Sequence, residues 1–148
     1  MTLFLLSLFG TIISAIIGTI WYSDKTPMGR IHMQYLGFDT LSKEEQKKKI
    51  EEAKPKMMKM YLTQMGLSLL TTLAVTFIVT TSLKNGLSLI MALGFVTMNW
   101  LCFMVPIIGS NILWSNCDRK IAMKKFFSDI FANLVTVLVV ALVVSFFV

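Results

Sequence analysis

Three polar residues share one face of the apolar segment at the end of the chain. Asp129, Asn133 and Thr136 are spaced i, i+4 and i+7, so a helix places them on one side. An ionisable group inside such a segment is a candidate proton or ion carrier, because burying a charge is costly. Asn99, in the preceding apolar segment, is a candidate to extend a polar path from Asp129.

The depth of Asp129 favours a structural role over ion transfer. Lys124 and Lys125 mark the start of the apolar segment, and Asp129 lies roughly 6 Å beyond Lys125 along a helix axis. Asp129 could therefore pair with Lys125 at i, i+4, pair with Arg119 or Lys120 from the preceding loop, or reach water.

The interpretation that we favour is a polar clamp between two apolar segments. We expect Asp129 to tie the fourth segment to the end of the third, at Asn111 or Trp114. The predicted polar cluster has five members in the apolar segments. They are Asn99, Asn111, Asp129, Asn133 and Thr136.

The residue types give little support for a disulfide, a metal site or a catalytic site. The chain has two cysteines and one histidine. A helix would separate Cys102 from Cys117 by roughly 22 Å, too far for a disulfide. His32 has no partner set for catalysis or metal binding, and no phosphate-binding loop is present. We predict no enzymatic activity, no cofactor and no metal site.

Four long apolar segments must position these polar groups. The chain is 55% hydrophobic and 15% charged, against roughly 25% charged residues in soluble domains. Segments 3–22, 61–83, 87–114 and 126–148 each reach the about 20 residues needed to cross a bilayer. These features predict an all-α integral membrane four-helix bundle, with 1–148 as one transmembrane domain. The first segment is expected to stay uncleaved, because no positive residue precedes its apolar run.

The basic residues predict the orientation. Of 14 lysines and arginines, nine lie in the predicted loop 23–60, four lie between the third and fourth segments, and only Lys84 lies between the second and third. Positive loops stay cytoplasmic, so both termini are expected on the non-cytoplasmic side. This pattern predicts a lipid bilayer as partner and no nucleic acid, with anionic lipid binding by the loops as an alternative role.

The loop 23–60 contains a helix signal. Ser42 and Glu45 have the spacing of a capping box, which predicts a short cytoplasmic helix over 42–53. Pro55 should bend or break it. Alternatively, this stretch lengthens the second apolar helix inward.

Packing and boundary signals complete the predicted bundle. Gly10, Ser14 and Gly18 form a small-residue ridge for close helix packing, within the bundle or across a dimer. Pro106 should kink the third segment. Four aromatic residues are predicted interfacial anchors. They are Trp21, Tyr22, Tyr61 and Trp114.

Short motifs in the first half of the chain resemble the DUF1761 family of small membrane proteins, whose activity is not established. Trp21-Tyr22-Ser23 resembles the Trp-Tyr-Ser-Pro-like end of the family's first helix, with Asp24 in place of the proline. Tyr35-Leu36-Gly37 resembles the motif that closes its first loop.

The second half of the chain resembles the same family. Asn111, Trp114 and the polar loop 115–120 correspond to the close of its third helix. The family's fourth helix opens with an aspartate and, four residues later, a histidine, which here are Asp129 and Asn133. If the family uses that histidine as a proton carrier, this chain could not do so.

Two functions from different classes follow from the sequence. The first is a non-enzymatic membrane bundle that acts as a scaffold or partner subunit, as a homo-oligomer or with another membrane protein. The alternative is a small transporter or channel subunit with a polar path around Asp129, Asn133 and Asn99.

Overall fold

The computed structural model describes residues 2–148, which fold into five helices without a strand. Four of the helices are long and apolar enough to cross a membrane, so the predicted all-α class with four such helices is confirmed. Residue 1, which the predicted domain 1–148 includes, lies outside the described residues. The helices are α1 (Leu3–Trp21), α2 (Pro27–Tyr35), α3 (Lys43–Lys84), α4 (Leu89–Leu113) and α5 (Arg119–Ser145).

The long helices form a bundle with an off-centre core. Helices α1, α3 and α5 contact one another, and α4 packs on α3 and α5. The core lies in the half of the bundle near the α3–α4 turn, where Gly86 has a φ of 77°, a backbone conformation that favours glycine. The half of the bundle away from this turn lies outside the buried apolar core, so other contacts must hold its helices together. The buried core residues are Leu6, Val75, Val79, Val96, Val137, Val140, Ala141 and Val144.

Gly10 brings α1 close to both α3 and α5. A Cβ atom on Gly10 would lie 2.9 Å from Cγ1 of Val140 and 3.3 Å from Cβ of Thr72. The Thr72 hydroxyl donates to the carbonyl of Ser7 at 3.0 Å, a buried bond between α3 and α1. Gly18, at the other end of the predicted ridge, has no neighbour within 4 Å of such a Cβ. The ridge thus packs inside the bundle at one end and is open at the other.

Helix α3 is longer than predicted. It runs for 42 residues from the capping box of Ser42 and Glu45, with Pro55 inside it. The predicted break near Pro55 is wrong, and the alternative of a lengthened second helix is what the structure shows. Proline removes only one hydrogen bond of the helix, and the lysine and methionine residues that follow it are good helix formers.

Helix α4 changes its winding in the middle. Leu89–Asn99 and Val105–Leu113 are α-helical, and Trp100–Met104 between them is π-helical. Pro106 has no N–H for the carbonyl of Cys102. The irregularity expected at Pro106 therefore takes the form of a wider turn just before it.

Candidate functional site

A short helix that the sequence analysis missed organises the site. Helix α2 begins at Pro27, after Thr26, whose hydroxyl accepts from the N–H of Gly29 at 2.9 Å. A capping threonine followed by proline is a helix-start signal that could have predicted α2. A Cβ atom on Gly29 would overlap the carbonyl of Ser23. Glycine therefore allows α2 to fold back over the end of α1 and contact α5.

Tyr22, Lys125 and Asp129 meet where α1, α2 and α5 converge, and we name this group the polar clamp. The Lys125 ammonium donates to both carboxylate oxygens of Asp129. The Tyr22 hydroxyl donates to Oδ1 of Asp129 at 2.7 Å. The side chains of Lys125 and Asp129 are only 7% and 19% exposed. The Lys125 ammonium thus neutralises a largely buried carboxylate, and the Tyr22 hydroxyl adds a hydrogen bond from the end of α1.

Two aromatic rings lie close to the Lys125 ammonium. Its nitrogen lies 5.0 Å from the ring centroid of Tyr22 and 5.7 Å from that of Tyr35. A cation over an aromatic face is attracted to it, more strongly when both are shielded from water. Tyr35 is the last residue of α2, so the cation connects α2 to α5.

His32 of α2 stacks beside the polar clamp. Its ring lies 5.1 Å from the ring of Tyr22. Burial lowers the pKa of His32, the nearby Lys125 ammonium lowers it further, and the Asp129 carboxylate opposes both effects. The neutral imidazole is therefore the form that the folded chain favours, which suits a site that already holds one cation.

Two of the four predicted anchors turn toward the bundle. Trp21 donates from Nε1 to the hydroxyl of Ser128 at 3.2 Å, next to the Tyr22–Asp129 bond. Tyr61 and Trp114 remain exposed, by 62% and 87%. The aromatic pair at the end of α1 thus contributes specific contacts to α5.

The predicted partner of Asp129 is wrong. Asn111 and Trp114 are both exposed, whereas Asp129 binds Tyr22 and Lys125. The reason is the rotation of α5, which turns the Asp129 face toward α1 and α2 instead of the end of α4. Pairing with Lys125 at i, i+4, one of the open alternatives, is what the structure shows.

The predicted polar cluster does not form one connected site. Asn99 and Asn111 are exposed on α4. Thr136 donates to the carbonyl of Ala132, within α5, at 2.8 Å. The side-chain oxygen of Asn133 is buried and has no donor within residues 2–148. Only the α5 members share a face, and Asp129 alone is bonded to another helix.

Two cavities lie between the helices, and one of them is lined by Ser128 and Ile130 on either side of Asp129. One of about 450 Å³ lies between α2, α4 and α5, with an apolar lining that includes Ile31, Trp100 and Phe131. Another of about 460 Å³ is an open groove between α3 and α4. Asp129 lines neither of them. Within residues 2–148, His, Cys, Asp and Glu side chains form no group of three or more that could hold a metal ion.

Comparison with known proteins places the chain in a family. No curated protein and no solved structure matches the chain. A family model described as "Protein of unknown function (DUF1761)" matches residues 5–145, a range that runs from α1 to the end of α5 and includes the whole polar clamp. The chain therefore belongs to the DUF1761 family, whose function is unknown.

Proposed function

We propose that this chain is a non-enzymatic membrane bundle that acts as a scaffold or partner subunit. Helices α1, α3, α4 and α5 cross the bilayer, and both termini lie on the non-cytoplasmic side. The length and apolar character of the four helices support insertion. The distribution of basic residues, with only Lys84 outside the two basic loops, supports the orientation.

The observation that carries this proposal is that two donors within the chain already bind the Asp129 carboxylate. A carboxylate that carries protons must exchange them with water or with a mobile donor. Asp129 is bound instead by the Lys125 ammonium of its own helix and by the hydroxyl of Tyr22, the residue that follows α1. Such an arrangement holds helices together, because removing either partner leaves an uncompensated buried group.

The alternative is a small transporter or channel subunit, and one observation favours it. The side-chain oxygen of Asn133, one turn beyond Asp129 on α5, is buried and has no hydrogen-bond donor within residues 2–148. A polar group that faces a water path can lack a hydrogen-bond partner in the protein, since water molecules bond to it instead. Asn99 counts against a continuous path because it is exposed on α4.

Flux measurements in liposomes separate the two functions. The protein is reconstituted and tested for proton and monovalent-ion flux under imposed gradients, as wild type and as Asp129→Asn. We expect no flux from either protein. Asp118→Asn is the matched control, because Asp118 caps the start of α5 without joining the clamp. Flux that Asp129→Asn abolishes and Asp118→Asn retains would overturn the scaffold proposal in favour of the transporter.

A further inference from the structure

Asn99 is an amide that the bundle leaves uncovered near the middle of α4. Along the helix axis it lies about 15 Å from Leu89 and about 20 Å from Leu113. Its side chain is exposed, and within residues 2–148 it has no hydrogen-bond partner. In a bilayer this depth is hydrocarbon, where an amide without a partner is costly.

Depth distinguishes Asn99 from the other exposed amides of the long helices. Asn111 lies two residues before the end of α4. Gln64 lies about 30 Å along α3 from Lys84, close to the exposed Tyr61. Both reach the headgroup zone of the proposed orientation, where water satisfies an amide. Asn99 has no such access and needs a protein partner.

The surface around Asn99 is apolar and uneven. Phe95, Met98 and Phe103 are all more than half exposed, and Cys102 is exposed one turn from Asn99. These residues line the open groove of about 460 Å³ between α3 and α4. We name this surface, formed by Phe95, Met98, Asn99, Cys102 and Phe103, the Asn99 face. The π-helical turn begins immediately after Asn99, and such turns are frequent at functional positions.

We infer that the Asn99 face binds a second copy of this chain, with the two Asn99 amides hydrogen-bonded to each other. An amide both donates and accepts, so it is complementary to itself. Two-fold dimers are the commonest homo-oligomers, and a residue on the two-fold axis faces its own counterpart in the second copy. Interhelical amide bonds are an established means of association between membrane helices. The inference rests on the proposed membrane bundle, for which it specifies the partner.

Sedimentation equilibrium of the full chain in mild detergent tests the stoichiometry. We expect the wild type to have twice the monomer mass of 16.7 kDa. Asn99→Leu should weaken the dimer about five- to thirtyfold, which corresponds to the about 1–2 kcal/mol that an interhelical hydrogen bond contributes in model peptides. Asn99→Gln keeps an amide and should retain the dimer. Asn111→Leu is the matched control at an exposed amide near the helix end and should leave the mass unchanged.

Spin labels on Cys102 test the face. In a Cys117→Ser background Cys102 is the only cysteine, and it lies on the Asn99 face. Packed helix axes are 8–10 Å apart, so label-to-label distances in liposomes should be below about 25 Å. Asn99→Leu should remove this distance population while circular dichroism shows unchanged helix content.

Three results would overturn the inference. They are a monomeric wild type, a dimer whose dissociation constant Asn99→Leu leaves unchanged, and a dimer whose Cys102 labels lie far apart. A wild type that binds lipid or a different protein, but no second copy, also counts as monomeric and overturns the inference. Flux in liposomes that Asp129→Asn abolishes and Asp118→Asn retains would instead refute the scaffold function and leave the dimer unaffected, so the two failures are distinguishable.

Discussion

Two polar groups in apolar helices have opposite surroundings in this molecule. Asp129 on α5 is largely buried and bound by Tyr22 and Lys125. Asn99 on α4 is exposed and has no hydrogen-bond partner within residues 2–148. The difference depends on the helices that carry the two residues. Helix α5 packs against all the other helices, whereas α4 packs mainly against α3 and α5.

Burial in the two helices shows the same contrast. Eight residues of α5 are buried, among them Lys125 and Ser128. Only Ala92 and Val96 are buried in α4. A polar residue in α5 is therefore expected to affect the stability of one chain, whereas one in the middle of α4 is expected to affect association between chains.

The largest effect should come from Asp129→Ala. It leaves the buried Lys125 ammonium without its carboxylate, and breaking a buried ion pair in this way costs about 3–5 kcal/mol. The measurement is the free energy of unfolding in mild detergent. The paired change Lys125→Met with Asp129→Leu removes both charges and should cost less than Asp129→Ala alone. A paired change that costs more than the single one would contradict the clamp.

Tyr22→Phe should have the next largest effect. It removes a hydrogen bond to a carboxylate, a loss of about 1.5–3 kcal/mol, and keeps the ring beside Lys125. Tyr35→Phe is the matched control, because the Tyr35 ring also faces Lys125 but its hydroxyl does not bind Asp129. Equal losses of unfolding free energy in the two variants would show that the hydrogen bond from Tyr22 to Asp129 does not stabilise the site.

Gly29→Ala tests how α2 is held against the end of α1. The added methyl group overlaps the carbonyl of Ser23, and overpacking of this kind costs about 1–3 kcal/mol. Gly18→Ala is the control, because space is open around Gly18. We expect limited proteolysis to cut near α2 faster in Gly29→Ala alone. Equal cutting rates in both variants would indicate that α2 is not fixed by this contact.

His32 should give the stability of the chain a pH dependence. The folded state lowers the pKa of His32, so the unfolded chain takes up the proton at higher pH than the folded chain does. Stability is therefore full above about pH 6.5 and falls as the pH decreases below it. His32→Gln should reduce this slope in denaturant titrations between pH 7.5 and pH 5.5. An unchanged slope would show that His32 does not produce the pH dependence.

Asn99→Leu should have the smallest effect on the stability of the monomer. Surface substitutions away from specific contacts usually change stability by no more than about 0.5 kcal/mol. The unfolding free energy is compared at protein concentrations low enough to dissociate the proposed dimer. A loss as large as that of Tyr22→Phe would remove the contrast between Asn99 and the polar clamp.

The long helices could be predicted because their signals are local. Apolar length locates the four helices, and the spacing of Ser42 and Glu45 predicts the start of α3. The i, i+4 spacing of Lys125 and Asp129 predicts, as one alternative, that the two side chains pair within a single helix. The sequence also contains a local start signal for α2 at Thr26 and Pro27.

The contacts between helices could not be predicted because they depend on rotation about the helix axes. The sequence places Asp129 on a face with Asn133 and Thr136, but nothing local says which helix that face meets. The predicted partners at the end of α4 are therefore wrong, and the sequence predicts Tyr22 only as an interfacial anchor. The exposure of Asn99 has the same origin, since it depends on how α4 is rotated against α3.

A double-mutant cycle between Tyr22 and Asp129 most directly tests the claim that Asp129 binds within its own bundle. Tyr22→Phe, Asp129→Asn and the combined variant are unfolded in mild detergent beside the wild type. Residues that share a hydrogen bond show coupling of about 0.5–3 kcal/mol, and we predict a value in that range for this pair. Additive losses, with coupling below about 0.3 kcal/mol, would contradict the account.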